Sequence, residues 1–201
     1  MKSKQIPSPS RRTCILTCLL ALLPGTSGLA ASEQALRFPD AVRLAPGGPR
    51  LARRGSGRFR FFFVPYYDCA LYTLPELQDA QEVLTVDAPR RLIIDALRQI
   101  TAFEFLWGLD QGLADNSTRA ELKAVQRDLE RVRAIVREAG GLERGMRGAL
   151  DYLPGIGVRL LLNDRPQGPA LGGKALADAL FKVWLGERPL DVSLKEALFG
   201  G

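Results

Sequence analysis

From Arg58 to Tyr72 the chain runs through Phe59, Phe61, Phe62, Phe63, Val64, Tyr66, Tyr67 and Leu71 with no helical period. Aromatic and β-branched residues at this density suit a pleated surface, so the stretch reads as one long strand or a tight hairpin. A sheet must be built around it. The segment follows Gly55-Ser-Gly57, read as a turn, and Pro65, which has no N–H for a ladder, is expected at an edge or a bulge. Strict alternation puts Arg58, Arg60, Tyr66, Asp68 and Tyr72 on one face and Phe59, Phe61, Phe63, Cys69 and Leu71 on the other. A bulge at Pro65 would switch the parity of everything after it.

The neighbouring segments supply more of the sheet and a helical layer. Ala41 to Leu44 suggests an edge strand, and Val83 to Val86 and Leu92 to Leu97 suggest two further strands separated by a turn at Asp87-Ala-Pro-Arg. A helix over about residues 101–113 would bring Phe103, Leu106, Trp107 and Asp110 near the sheet. Thr118 and Glu121 form a capping box, and Leu122, Val125, Leu129, Val132 and Val136 recur at helical spacing until Gly140-Gly141. Asn116-Ser-Thr fits a glycosylation acceptor, but this helix start explains the same residues. Gly157 to Asn163, a turn at Asp164-Arg-Pro-Gln-Gly and a return through Pro169 to Leu171 form a hairpin. Gly172-Gly-Lys opens a helix carrying Leu176, Ala179, Leu180, Val183 and Trp184, stopped by Gly186 and Pro189, and Asp191 or Ser193 caps a last short helix. Strands grouped early and late around a helical middle predict an α+β domain, a mostly antiparallel sheet with helices layered on one face.

The beginning of the chain has a separate reading. Lys2, Lys4, Arg11 and Arg12 precede an apolar run from Thr13 to Leu23 and a small-residue stretch ending at Ala30. This is the pattern of a Sec-type secretory signal peptide over residues 1–30, with cleavage after Ala30 and a single domain over 31–201. The apolar run is short for a span of about 20 residues, so no stable membrane anchor is expected after cleavage, and the expected location is periplasmic or secreted. The leader takes away those four cations and no acidic residue, so the formal charge falls from +6 to +2. Without a basic stripe or a nucleic-acid motif, no nucleic-acid partner is expected. Cys14 and Cys18 leave with the leader, and Cys69 reads as a small buried hydrophobe.

The composition also limits the chemistry. The sequence holds no histidine, which removes Ser-His-Asp and Cys-His catalysis and His-ligated metal, and no cofactor or metal is expected. Gly55-Ser-Gly-Arg and Pro154-Gly-Ile-Gly lack the P-loop pattern and read as turns. Arg58 and Arg60 have a structural reading, in which Asp68 pairs with one of them, and a functional one. In the latter an arginine at the mouth of an apolar cleft holds a carboxylate while tyrosine hydroxyls complete the site.

Two blocks of sequence carry a family resemblance. One runs through Tyr152-Leu-Pro-Gly-Ile-Gly-Val, Asn163-Asp-Arg-Pro-Gln-Gly, Val183-Trp-Leu-Gly-Glu-Arg-Pro-Leu-Asp and Leu194-Lys-Glu-Ala-Leu-Phe-Gly. The other is Gly55-Ser-Gly-Arg-Phe-Arg, the aromatic run and Tyr67-Asp-Cys-Ala-Leu-Tyr72. Together they resemble the chalcone isomerase-like family over roughly residues 38–200. The resemblance implies an open-faced β-sandwich, sheet against helices. In the family's enzymes a key arginine follows the Gly-x-Gly turn; here Phe59 stands at that place, flanked by Arg58 and Arg60. An aromatic residue replaces the enzymes' strand threonine, and their mid-chain Tyr and Asn have no clear counterpart, since Trp107 and Asn116 match neither spacing nor type. The expectation is therefore an exported, non-enzymatic domain with no catalytic residues. Like the fatty-acid-binding members, it would hold a small apolar or carboxylate ligand through Arg58, Arg60, Tyr67, Tyr72 and Trp107. The alternatives are an isomerase or lyase using Arg58 or Arg60 as oxyanion stabiliser, and an envelope structural protein whose cleft is filled by aromatics. The sequence leaves the oligomeric state open.

Overall fold

The computed structural model describes residues 38–200. The leader expected over residues 1–30 lies outside the described residues. Among the described residues nine strands and six helices follow one another in the order β1 (Ala41–Arg43), β2 (Arg50–Phe61), β3 (Val64–Thr73), α1 (Ala80–Thr85), β4 (Arg90–Ala96), β5 (Ile100–Thr101), α2 (Ala102–Asn116), α3 (Arg119–Ala124), α4 (Gln126–Ala139), β6 (Gly141–Leu142), β7 (Arg147–Leu153), β8 (Gly157–Leu162), β9 (Arg165–Pro166), α5 (Lys174–Leu185) and α6 (Val192–Ala197). Seven strands make one curled antiparallel sheet in the order β1-β2-β3-β4-β7-β8-β9, and β5 pairs with β6 beside it. The helices cover one face, as expected of the α+β arrangement.

The sheet sorts its side chains by parity. Tyr67, Cys69 and Leu71 of β3, Leu92 and Ile94 of β4, and Leu150 and Tyr152 of β7 point at the helices and form the main core with Leu109, Leu113, Leu180 and Trp184. On the opposite face Leu51, Ala70, Tyr72, Ile93, Ala149 and Leu161 make a smaller apolar patch under Phe38. This patch is bordered by ion pairs. In register across β2, β3, β4 and β7 stand Arg58, Asp68, Asp95 and Arg147. Asp68 and Asp95 face each other and would repel, but Arg58 grips Asp68 through two bonds of 2.7 and 3.1 Å, and Arg147 grips Asp95 through two of 2.7 Å. A parallel row joins Asp151, which is fully buried, to Arg91 and Arg159. On the helix side Arg90, also fully buried, lies between the rings of Tyr152 and Phe181 and donates to the Val83 carbonyl and to Asp178, linking sheet, α1 and α5.

Several sequence expectations are corrected. Val83 to Val86 is not a strand but the end of α1, because Asp79 caps the Glu82 N–H at 2.8 Å and starts a helix that buries Val83. Gly55 and Gly57 form no turn; they lie inside β2. A Cβ on Gly55 would stand 2.2 Å from the Ala197 carbonyl oxygen, and one on Gly57 would stand 2.8 Å from the Ala197 Cβ, so the glycines admit α6 onto the sheet. The turn belongs instead to Phe62 and Phe63, which join β2 to β3 as a tight hairpin, with Phe62 at φ 54° in the left-handed region. The register shifts between Phe59↔Tyr67 and Arg60↔Pro65, a bulge at the expected place, which turns Tyr66 to the helix side instead of leaving it beside Arg58. The capped helix from Thr118 breaks at Val125 into α3 and α4. Phe103 is 78% exposed rather than packed on the sheet, and Asp110 pairs with Arg133 at 2.7 Å. Asn116 ends α2 and ties it to the loop before α6 through the Arg188 backbone, accepting at 2.8 Å and donating at 2.7 Å.

Two tests follow from the packing. Gly108 and Gly112 lie in the same helix, but an added Cβ meets nothing within 4 Å at Gly108 and the Val183 Cγ1 at 2.6 Å at Gly112. Gly108→Ala is expected to raise stability by about 0.5–1 kcal/mol and Gly112→Ala to lower it by about 1–3 kcal/mol in urea unfolding. Burial pushes the phenols of Tyr72 and Tyr152 up to about 12, and that of Tyr67 further upward. Folded pKa values above the unfolded value of about 10 mean stability is fully present below that pH and declines from there toward pH 12. Absorbance titration should show three tyrosines resisting ionisation until unfolding; complete ionisation in the folded protein by about pH 11 would contradict the burial.

Candidate functional site

Where α2 passes the β2–β3 hairpin, sheet and helices part to leave a cleft of about 570 Å³. Phe59 and Tyr67 form its sheet wall, stacked at 4.9 Å, while Phe105 and Leu109 of α2 face them and Trp184 of α5 closes the inner end. Phe61 and Trp107, edge to face at 6.1 Å, flank the mouth. Behind Phe105, Leu109 and Trp184 a second space of about 100 Å³, lined almost wholly by apolar groups, continues between the sheet and α4. The combination of an apolar wall and few polar atoms is that of a small-molecule site.

Those few polar atoms are well defined. The Trp184 indole N–H donates to the Tyr67 hydroxyl at 2.9 Å, and both side chains are buried. An indole nitrogen can only donate, so the tyrosine oxygen accepts and keeps its own proton, for which no acceptor stands among the described residues. Burial holds that phenol neutral well beyond the ordinary tyrosine range. Tyr67 can therefore donate one hydrogen bond to an oxygen entering the cleft, and it is ill suited to act as a base.

At the rim, Glu104 completes the capping box of α2 with Thr101, whose backbone N–H above all holds the carboxyl below its usual range. Tyr66 reaches the same carboxylate at 3.4 Å, and Arg98 reaches it at 3.1 Å while lying over the Tyr66 ring. Asp115 adds a second acidic group to the lining, and among the described residues no lysine or arginine lines the cleft. Cys69 is fully buried, with its thiol pushed up by burial, and takes no part. Among the described residues no group of three His, Cys, Asp or Glu side chains could hold a metal ion.

The five residues expected to share one site are divided by the sheet. Tyr67 and Trp107 line the cleft. Arg58 lies on the opposite face bound to Asp68, Arg60 is exposed on that face with no side-chain hydrogen bond among the described residues, and Tyr72 donates there to the Pro39 carbonyl at 2.9 Å. Sequence reasoning placed Trp184 on the helix opened by Gly172-Gly-Lys and did not connect it with Tyr67. The signal was a lone indole donor on an otherwise apolar helix face, since a buried Trp N–H needs an acceptor.

Comparison with known proteins agrees with this architecture. No curated protein matches the chain in sequence. Among solved structures, a fatty-acid binding protein of Arabidopsis thaliana superposes with a TM-score of 0.56 at 12% identity, covering 80% of this chain and 96% of that one. At that identity the likeness is one of fold. A family model described as chalcone isomerase-like matches residues 30–200, nearly everything beyond the expected leader, and the chain belongs to the chalcone isomerase-like family.

Proposed function

We propose that this chain is an exported, non-catalytic binding protein that holds a small apolar molecule with an acidic head, such as a fatty acid, in the cleft between α2 and the β2–β3 hairpin. The observation that carries the reading is the Tyr67 hydroxyl, fixed by Trp184 with its proton unspent inside an aromatic cleft. The fatty-acid binding structural neighbour supports the ligand class. The export part of this reading rests on the pattern of residues 1–30, and the mature protein should begin at Ala31. Neither Arg58 nor Arg60 faces the cleft, so the isomerase alternative lacks the oxyanion-stabilising arginine it would need.

The same geometry favours an uncharged head on the ligand. A carboxylate buried in the cleft meets no lysine or arginine in the lining among the described residues, since Arg98 at the rim is already engaged by Glu104, and it is disfavoured, whereas a protonated acid can accept the Tyr67 hydrogen bond through its carbonyl oxygen. The acid is therefore bound uncharged, with its tail along Phe59, Phe105 and Leu109 toward the second apolar space.

Native mass spectrometry of the protein from its own host, followed by organic extraction, should release such a molecule. Titration with a long-chain acid should show affinity falling about tenfold per pH unit above the pKa of the free acid and levelling off only above its raised pKa in the complex, while the matching alcohol binds without that dependence. Tyr67→Phe should weaken both by roughly two- to tenfold, Leu109→Trp should abolish binding by filling the cleft, and Arg60→Ala should change nothing. Acid binding that strengthens with pH, or that survives Leu109→Trp, would remove the ligand from this cleft.

A further inference from the structure

The β2–β3 hairpin ends in the most exposed large hydrophobic side chains among the described residues. Phe62 is 82% and Phe63 95% exposed at the tip, with Phe61 and Val64 about half exposed on its shoulders. Across the mouth of the cleft, α2 presents Phe103 and Trp107, at 78% and 52%. A ring contact of 4.9 Å joins Phe62 to Phe61, and one of 6.1 Å joins Phe61 to Trp107, so the patch is continuous with the cleft opening. Phe62 also holds a left-handed backbone that a bulky side chain rarely adopts. A solvated turn would favour Gly, Asn or Asp at that position, whereas this chain keeps three consecutive phenylalanines.

We propose that this end of the molecule docks on an anionic lipid bilayer, with Phe62 and Phe63 inserted among the acyl chains. The proposal takes its purpose, though not its geometry, from the ligand-binding reading: docked this way, the cleft mouth opens on the layer where an apolar ligand resides. Three observations favour a bilayer over a protein. The patch peaks in a convex two-residue tip, which a fluid layer can accept without a complementary pocket, whereas a stable protein interface needs about 800 Å² from each partner. Tyr66 and Trp107 stand just behind the tip, as amphipathic rings do at the headgroup level. Arg60, exposed and with no side-chain hydrogen bond among the described residues, lies next to Phe61 on the strand leading to the tip, where a guanidinium can meet lipid phosphate.

The test is flotation of the purified protein with vesicles of phosphatidylcholine mixed with phosphatidylglycerol. Trp107 emission serves as a second readout, since Trp184 is buried in any case. Wild type should float, its emission should shift to the blue, and lipids carrying a quencher in the acyl region should reduce it. Phe62→Gly with Phe63→Ser should weaken vesicle binding roughly tenfold or more. The glycine suits the left-handed turn, so circular dichroism and acid binding in vesicle-free solution should be retained. Arg60→Ala should reduce binding to mixed vesicles but not the residual binding to pure phosphatidylcholine. Failure of wild type to float, or equal flotation of the double variant, would overturn the proposal. So would a concentration-dependent dimer that the double variant abolishes in the absence of vesicle binding. Acid binding is measured without vesicles, so its failure would count against the ligand reading and leave the flotation result standing.

Discussion

A single buried hydrogen bond, from the Trp184 indole to the Tyr67 hydroxyl at 2.9 Å, decides how the helical layer meets the sheet. It joins the last turn of α5 to β3, and breaking it would leave a buried donor or acceptor unsatisfied at a cost of about 1–3 kcal/mol. Gly112 lets α2 approach Val183 on the same helix more closely than any side chain would permit. One end of α2 is thus drawn against α5, and the cleft stays open toward the other end, where Phe105 and Leu109 face Phe59 and Tyr67. The phenol that anchors the layers is the same group whose proton remains available to a ligand. Fold and site share one contact.

The opposite face of the sheet shows what the arginines are for. Asp68 and Asp151 are almost wholly withdrawn from water, and a carboxylate in that position is tolerable only when paired and hydrogen bonded. Arg58, Arg91 and Arg159 supply that pairing across neighbouring strands, and Arg147 does the same for Asp95. Removing one partner would strand a buried charge, so these side chains are committed to the sheet. In the proposed binding mode, a cleft lined by no lysine or arginine among the described residues favours a neutral ligand head.

Much of this was legible in the sequence, and the failures have physical causes. The hairpin, the bulge near Pro65, the capping box at Thr118 and the closing helices followed from local chemistry acting over a few residues. The α1 helix did not, although Asp79 and Glu82 carry the spacing of a cap, because Val83, Val86 and the neighbouring apolar residues suggested a strand. Gly55 and Gly57 looked like a turn because glycine in a strand is explained only by what approaches it, here a helix arriving from the far end of the chain. For the site, alternation placed Arg58, Asp68 and Tyr72 together correctly, but parity alone does not say which face the helices cover. The pairing of Tyr67 with Trp184, 117 positions apart, has no local signature beyond an indole donor in need of an acceptor.

In the proposed complex the head of the acid lies beside the Tyr67 hydroxyl. A long-chain acid carrying a photoreactive diazirine next to its carboxyl group, activated in complex with the protein and mapped by peptide mass spectrometry, reads that position directly. Labelling of Tyr67, Trp184 or Leu190 is the predicted result. Labelling on the other face of the sheet, around Arg58, Tyr72 or Ile93, would contradict it and return the site to the arginine rows.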